Sequence, residues 1–195
     1  VVTPSVLTRT KEEIVEPMHH LLRNSTNPYR GCLYIGLMID QDGGPNVIEF
    51  NVRLGDPEAQ VTIPLIKTDL GNLLLATAEG RLAEMEVEFR PLHTATVVLA
   101  SEGYPGDVIS GRIVTGWETK IDEGNLQGFT HLAGAKFDKS DSLLSSGGRV
   151  LSATGIAPSL DQALAISYQI MEGIDLEGSH YRKDIGFRAL PPRKS

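Results

Sequence analysis

NVIEFNVRLGDPE, residues Asn46 to Glu58, is the stretch on which the reading of the whole chain turns. Val47, Glu49, Asn51 and Arg53 alternate with Ile48, Phe50, Val52 and Leu54, so a strand would send one set of side chains to each face. One face is then apolar, and the other carries a carboxylate, an amide and a guanidinium. Glu49 and Asn51 are hard oxygen donors of the kind that hold Mg2+ together with water and nucleotide phosphates. Residues i and i+2 on one strand face lie roughly 6.5–7 Å apart at the backbone, so their side chains can converge on one ion. From spacing alone, a polar face that meets solvent, or pairs internally with Arg53, accounts for the triplet at least as well. Beyond it, Gly55 supplies a turn, Asp56 an N-cap and Pro57 a first helical position. A helix N-terminus is therefore expected just past Arg53, where unpaired N–H groups would attract an anion.

The chain has 195 residues, of which 41% are hydrophobic and 22% charged, enough for a real core in one domain or two small ones. A net charge of -7 argues against an extended nucleic-acid surface, which needs clustered Lys and Arg. Basic residues gather only between Arg182 and Lys194, where Asp184 and apolar residues interrupt them. The single Cys32 cannot form an internal disulfide, and its apolar neighbours predict a buried, inert thiol in a reducing compartment. No apolar run reaches membrane-spanning length and no signal-peptide pattern opens the chain, so a cytoplasmic protein without a membrane partner is expected. The opening VVTPSVLTRT lacks a methionine, which suggests a fragment or a processed piece.

Along the chain, Ile14, Val15, Met18, Leu21 and Leu22 predict a helix from Pro4 to Arg23, capped by Thr8 or Thr10 and kinked at Pro17. His19 and His20 are adjacent, and on a helix they diverge too far to chelate together. Tyr29 to Ile39 reads as a strand buried on both faces, and DQDGGP (Asp40 to Pro45) as the turn joining it to the Glu49 strand in an antiparallel hairpin. Residues 57–80 read as helices broken near Pro64, the second starting at Asp69, ending before Gly80 and burying Leu70, Leu73, Leu74 and Thr77. Around residues 81–92 the texture changes to strand: Met85–Arg90, His93–Ser101, Ile109–Gly116, Gly128–Lys136 and Arg149–Thr154 read as short strands, with the domain boundary near residue 92. A last helix, Leu160–Ile174, has Ser159 and Gln162 at capping-box spacing. The class is α+β, with domains over 1–92 and 93–195, the second a small barrel-like β domain with one helix.

The CxxC pair, HExxH, GxSxG and the phosphate-binding GxxxxGK[ST] loop are all missing, which leaves carboxylate and amide oxygens as the chemistry on offer. The runs PYRGCLYIGLMID (Pro28–Asp40), VIEFNVRLGDPEAQ (Val47–Gln60), SEGYPG (Ser101–Gly106), SSGGRVL (Ser145–Leu151) and YRKDIGFRAL (Tyr181–Leu190) closely resemble the glycinamide ribonucleotide synthetases, the phosphoribosylamine-glycine ligases of purine biosynthesis. The resemblance covers almost the whole chain in order, and EFNVRxGDPE is its most specific part. It implies the C-terminal half of an ATP-grasp domain followed by a C-terminal domain. It further implies ATP, glycine and 5-phosphoribosylamine as substrates, a glycyl phosphate intermediate, and Mg2+ (or Mn2+). On this resemblance Glu49 and Asn51 are the metal ligands, Arg53 is catalytic and binds the transferring phosphoryl group, and Gly55, Asp56 and Glu58 shape the substrate pocket. Arg149, Asp184 and Arg188 match family motifs without an assigned role. Leu54 stands where Phe is expected, Phe187 where His is expected, and Leu37 and Met38 where many ATP-grasp enzymes supply a further carboxylate. Activity should require the N-terminal half of the same enzyme, as a separate chain or otherwise. Another ATP-grasp carboxylate-amine ligase, or a catalytically silent module that retains the fold, are the competing readings.

Overall fold

The computed structural model describes residues 2–190 and divides into two units, Val1–Gly55 with Thr68–Glu88, and Asp56–Lys67 with Phe89–Ser195. Its elements mix helix and strand, the expected α+β class. Among the described residues no helix is long and apolar enough to cross a membrane.

The first unit opens with α1 (Pro4–Thr10), whose cap is Thr3 and not Thr8 or Thr10: the Thr3 hydroxyl accepts from Val6 N at 3.3 Å. Proline at position 17 has no N–H to give to the carbonyl four residues back. The chain absorbs this with a π-helical turn, Lys11–Val15, where Glu16 N reaches back to Lys11 O, and α2 (Glu16–Arg23) continues from it. The predicted hairpin follows as β1 (Tyr34–Ile39) and β2 (Pro45–Asn51), paired antiparallel. Asp40 organises its turn: Oδ1 accepts from Asp42 N at 3.0 Å and Gly44 N at 2.6 Å, and these bonds, Gly44's foremost, hold the carboxyl below its usual pKa. Contrary to expectation, β1 is half-buried and not buried on both faces, with Met38 61% exposed, and β2 is its one strand neighbour. Cys32 is likewise exposed, outside the strand that was to bury it. The helix α4 (Leu70–Glu79) runs from an Asp69 cap, whose carboxylate accepts from Asn72 N at 2.8 Å, to Gly80 in the left-handed region at φ 74°. It buries Ala76, with Leu73 half-buried, while Leu74 stays exposed.

The second unit begins with α3 (Ala59–Thr62) and a 3-10 turn, Ile63–Leu65, at the predicted break by Pro64. The remaining strands are β3 (His93–Ala100), β4 (Ile121–Glu123), β5 (Leu126–Leu132), β6 (Ala135–Phe137), β7 (Leu143–Ser145) and β8 (Arg149–Ala157), followed by α5 (Leu160–Glu172). The main sheet is antiparallel in the order β3-β8-β5-β4, and β6 with β7 forms a separate pair. Among the described residues no closed barrel forms: β3 and β4 end an open sheet, which corrects the barrel-like expectation. One cause is visible at 109–116, where Gly111 at φ 88° interrupts the run and leaves only the bridges Ile113 to Leu144 and Thr115 to Asp175. Residues 85–90 also make no strand: Phe89 forms only an isolated bridge with Ile66, and the Thr68 hydroxyl bonds Glu86 O and Glu88 N.

The core lies where α5 covers the sheet. Val97 and Leu99 of β3, Leu151 and Ala153 of β8, and Ala163, Ile170 and Met171 of α5 are within 1% of complete burial. Removing a leucine side chain from such a core costs about 2–5 kcal/mol. Gly128 and Gly155 let the helix sit this close: a methyl at Gly155 would run into the Ala163 carbonyl, and one at Gly128 into Ile166 and Ile170. Ser167 Oγ, fully buried, lies 2.9 Å from Ala95 O and 3.0 Å from Ala163 O, so one hydrogen serves both. The predicted capping box at Ser159 is replaced by a side-chain bond, Ser159 Oγ to Gln162 Oε1 at 3.0 Å.

Candidate functional site

The strand part of the site belongs to the first unit. Glu49 sits opposite Gly36 and Asn51 opposite Tyr34. Between Gly36 and Leu37 the register slips, so that Leu37 faces Val47 and Ile48 is the extra residue. The bulge breaks the expected alternation between Val47 and Glu49 but leaves Glu49 and Asn51 at i, i+2 on regular strand. Gly36 matters here because a Cβ in its place would come within 3.0 Å of Glu49 Cγ, so the glycine leaves the carboxylate room to lie across β1. Glu49 is exposed and Asn51 half-buried.

Two expectations change. The strand stops at Asn51, so Arg53 lies in the bend that follows, off the ladder, with its Nη1 donating to Leu54 O at 2.9 Å. The apolar set Ile48, Phe50, Val52 and Leu54 is exposed, Val52 by 70%, because a lone two-stranded hairpin has no second layer of this unit to pack on that face. Gly55, the last residue of the unit's first segment, is buried.

In the second unit the turn at Asp56 does not cap a helix. The α3 helix starts at Ala59 with Glu58 as its N-cap, and it is four residues long, too short for an anion-binding terminus. The competing partners are stronger than a cap. Asp56 Oδ1 accepts from Gln60 Nε2 at 3.0 Å, its Oδ2 lies 3.1 Å from Arg149 Nη2, and its backbone carbonyl accepts from Arg149 Nη1 at 2.8 Å. Arg149 and Asp56 are 93 residues apart, a contact that no local spacing signals. Both partners are nearly half exposed, 41% and 45% at the side chain, so the ion pair contributes only about 0–1 kcal/mol to stability. What it supplies is direction: a fork that grips carbonyl and carboxylate together leaves Asp56 one orientation.

Arg149 is itself aimed by the SSGG loop before it. Ser101 N donates to Gly148 O at 2.8 Å and Ser101 Oγ to Gly147 O at 2.9 Å, while the Tyr104 ring occupies the space a Gly148 side chain would need. Two of the quoted motifs, SEGYPG and SSGGR, thus form one packed loop pair that ends on the aspartate of a third. At the tail, Arg182 forms a two-point ion pair with Asp184, which holds the Asp184 carboxyl below its usual pKa, and the Arg188 guanidinium lies 5.5 Å from the Phe187 ring centre.

Among the described residues no group of three or more His, Cys, Asp and Glu side chains could hold a metal ion. A carboxylate and an amide at i, i+2 nevertheless fit a magnesium ion whose remaining ligands are water and nucleotide phosphate.

Comparison with known proteins defines the class first. The ATP-grasp (A) domain of phosphoribosylglycinamide synthetase matches residues 1–59, and the C domain of the same synthetase matches residues 94–188. The chain belongs to the phosphoribosylglycinamide synthetase family. Phosphoribosylamine–glycine ligases of Chlorobaculum tepidum, 44% identical over 97% of this chain, and of a Nostoc species, 41% identical over 96%, are among its relatives. The crystal structure of a Thermotoga maritima phosphoribosylamine–glycine ligase superposes with a TM-score of 0.76 at 34% identity over 94% of the chain. In each case the chain spans 44% of the relative's length.

Proposed function

We propose that this chain is the C-terminal part of an ATP-dependent carbon–nitrogen ligase that joins glycine to 5-phosphoribosylamine, giving glycinamide ribonucleotide, ADP and phosphate. The observation that carries the proposal is the Glu49–Asn51 pair on β2, opened by Gly36, within a segment matched to the family's ATP-grasp domain. Glu49 and Asn51 would hold Mg2+ (or Mn2+), which supplies charge neutralisation on the ATP phosphates. The glycine carboxylate attacks the γ-phosphate and releases ADP, and the amine of 5-phosphoribosylamine then displaces phosphate from the glycyl phosphate. Arg53, whose guanidinium donates to the neighbouring Leu54 carbonyl, pairs with the phosphoryl group as it moves. Gly55, Asp56 and Glu58 shape the pocket for the acceptor. Catalysis of this kind rests on orientation and electrostatics and needs no covalent enzyme intermediate. We place the protein in the cytoplasm, where purine precursors are made.

The ATP-clamping half is assigned to the N-terminal part of the enzyme. The test mixes this chain with the N-terminal half of the Chlorobaculum tepidum relative and follows ADP release. Magnesium- and glycine-dependent release from the mixture, absent from either half alone, is expected. A well-folded mixture that turns over another carboxylate or amine in preference would favour a different ATP-grasp ligase, and one with no turnover on any substrate would overturn the reading.

A further inference from the structure

Arg149 is a quoted motif residue to which the function above gives no task. Its donors converge on Asp56 from a place in the fold that is hard to move. Arg149 opens β8, whose next eight residues, Val150 to Ala157, are all buried. The loop behind it is pinned by both bonds from Ser101 and by the Tyr104 ring against Gly148. At the other end, Nη1 and Nη2 take the Asp56 carbonyl at 2.8 Å and carboxylate at 3.1 Å, and Gln60 Nε2 takes the second carboxylate oxygen at 3.0 Å. Both oxygens of Asp56 are therefore engaged by protein donors, so its carboxylate serves the turn. Among the described residues the buried Gln60 Oε1 has no hydrogen-bond partner, so the Gln60 amide is oriented for Asp56 at the cost of its own oxygen.

We infer that Arg149 is a positioning residue of the ligase, which fixes the Asp56 turn, and with it Glu58, for the acceptor substrate. The inference rests on the function proposed above. It assigns SEGYPG and SSGGR a common purpose: Tyr104 sets Gly148, Gly148 sets Arg149, and Arg149 sets the turn. Lysine could not replace the arginine fully, since a single ammonium cannot present the planar fork that meets carbonyl and carboxylate together.

The test has two readouts. In the mixture of this chain with a relative's N-terminal half, Arg149→Met is expected to lower kcat/KM for 5-phosphoribosylamine on the order of 10- to 100-fold. KM for ATP should stay unchanged, and Arg149→Lys should fall between. In this chain alone, amide hydrogen exchange across residues 55–62 should quicken in Arg149→Met and in Gly148→Ala, with the melting midpoint within a few degrees of the parent. Unchanged exchange in that segment overturns the inference whatever the activity does. A loss shared equally by all substrates and matched by the melting midpoint also overturns it, since that marks a structural role. If the parent mixture shows no glycine-dependent turnover, the proposed function fails, and the exchange result still decides whether Arg149 holds the turn.

Discussion

Glu49 is exposed and lies across a glycine, so little of the fold depends on its charge. Glu49→Gln keeps the size and removes one metal-binding oxygen. In the reconstituted ligase it should lower kcat by about 10²-fold or more, and the melting midpoint should move by no more than a degree or two. Normal turnover in this variant would show that Glu49 does not hold the metal. A second residue speaks through pH. Burial pushes the pKa of His131 below its ordinary 6.5, where its Nδ1 sits 3.3 Å from Thr154 Oγ1. The unfolded chain then binds the proton more readily than the folded one. The contribution is intact above about pH 6.5 and is lost as the pH falls through the window between 6.5 and the lower folded value. Thermal melts from pH 7.5 to 5 should fall more steeply for the parent than for His131→Gln; parallel slopes would show that the ring titrates normally. The donor types of the site were legible here, because chemistry resides in single side chains. The partners of Asp56 were not, because Arg149 reaches it only through the folded sheet.

At the scale of elements, α5 and the hairpin were legible because each has a local signature: helical apolar spacing in one, DQDGGP between apolar runs in the other. The strands β4 and β7 escaped notice because three residues carry no measurable periodicity. The helix expected after Asp56 shrank to four residues: it starts late, at Ala59, since Arg149 claims the intended cap, and it gives way to a 3-10 turn at the expected break by Pro64. The seat of α5 on β8 gives a sharp prediction. Gly155→Ala places a methyl against the Ala163 carbonyl, which is backbone and cannot rotate away, so the variant should lose about 1–3 kcal/mol or more in urea denaturation. Gly124→Ala, where a Cβ meets open space in a left-handed turn, should cost less. Equal losses would mean that helix packing is not what the glycine at 155 serves.

For the molecule as a whole, the proposed function assigns the ATP-clamping part of the site to a segment other than this chain. The Ile48, Phe50 and Val52 side chains stand in solvent on β2, and the chain covers 44% of its bacterial relatives. The isolated chain is therefore expected to release no ADP with glycine and 5-phosphoribosylamine, as measured by a coupled ADP assay. Magnesium- and glycine-dependent activity from the chain alone would require a second, unrecognised ATP site. What the sequence by itself determined was the kin and the donor types on offer: EFNVRLGDPE places a carboxylate, an amide and a guanidinium at a fixed spacing, and short motifs in a fixed order identify a family. Only the tertiary structure decided that the β domain stays open, that Arg53 leaves the strand, and that Asp56 is held by Arg149 from 93 residues away. The physical reason is one of range: periodicity and capping act within a few residues, whereas sheet closure and long side-chain clasps depend on which distant backbones come together.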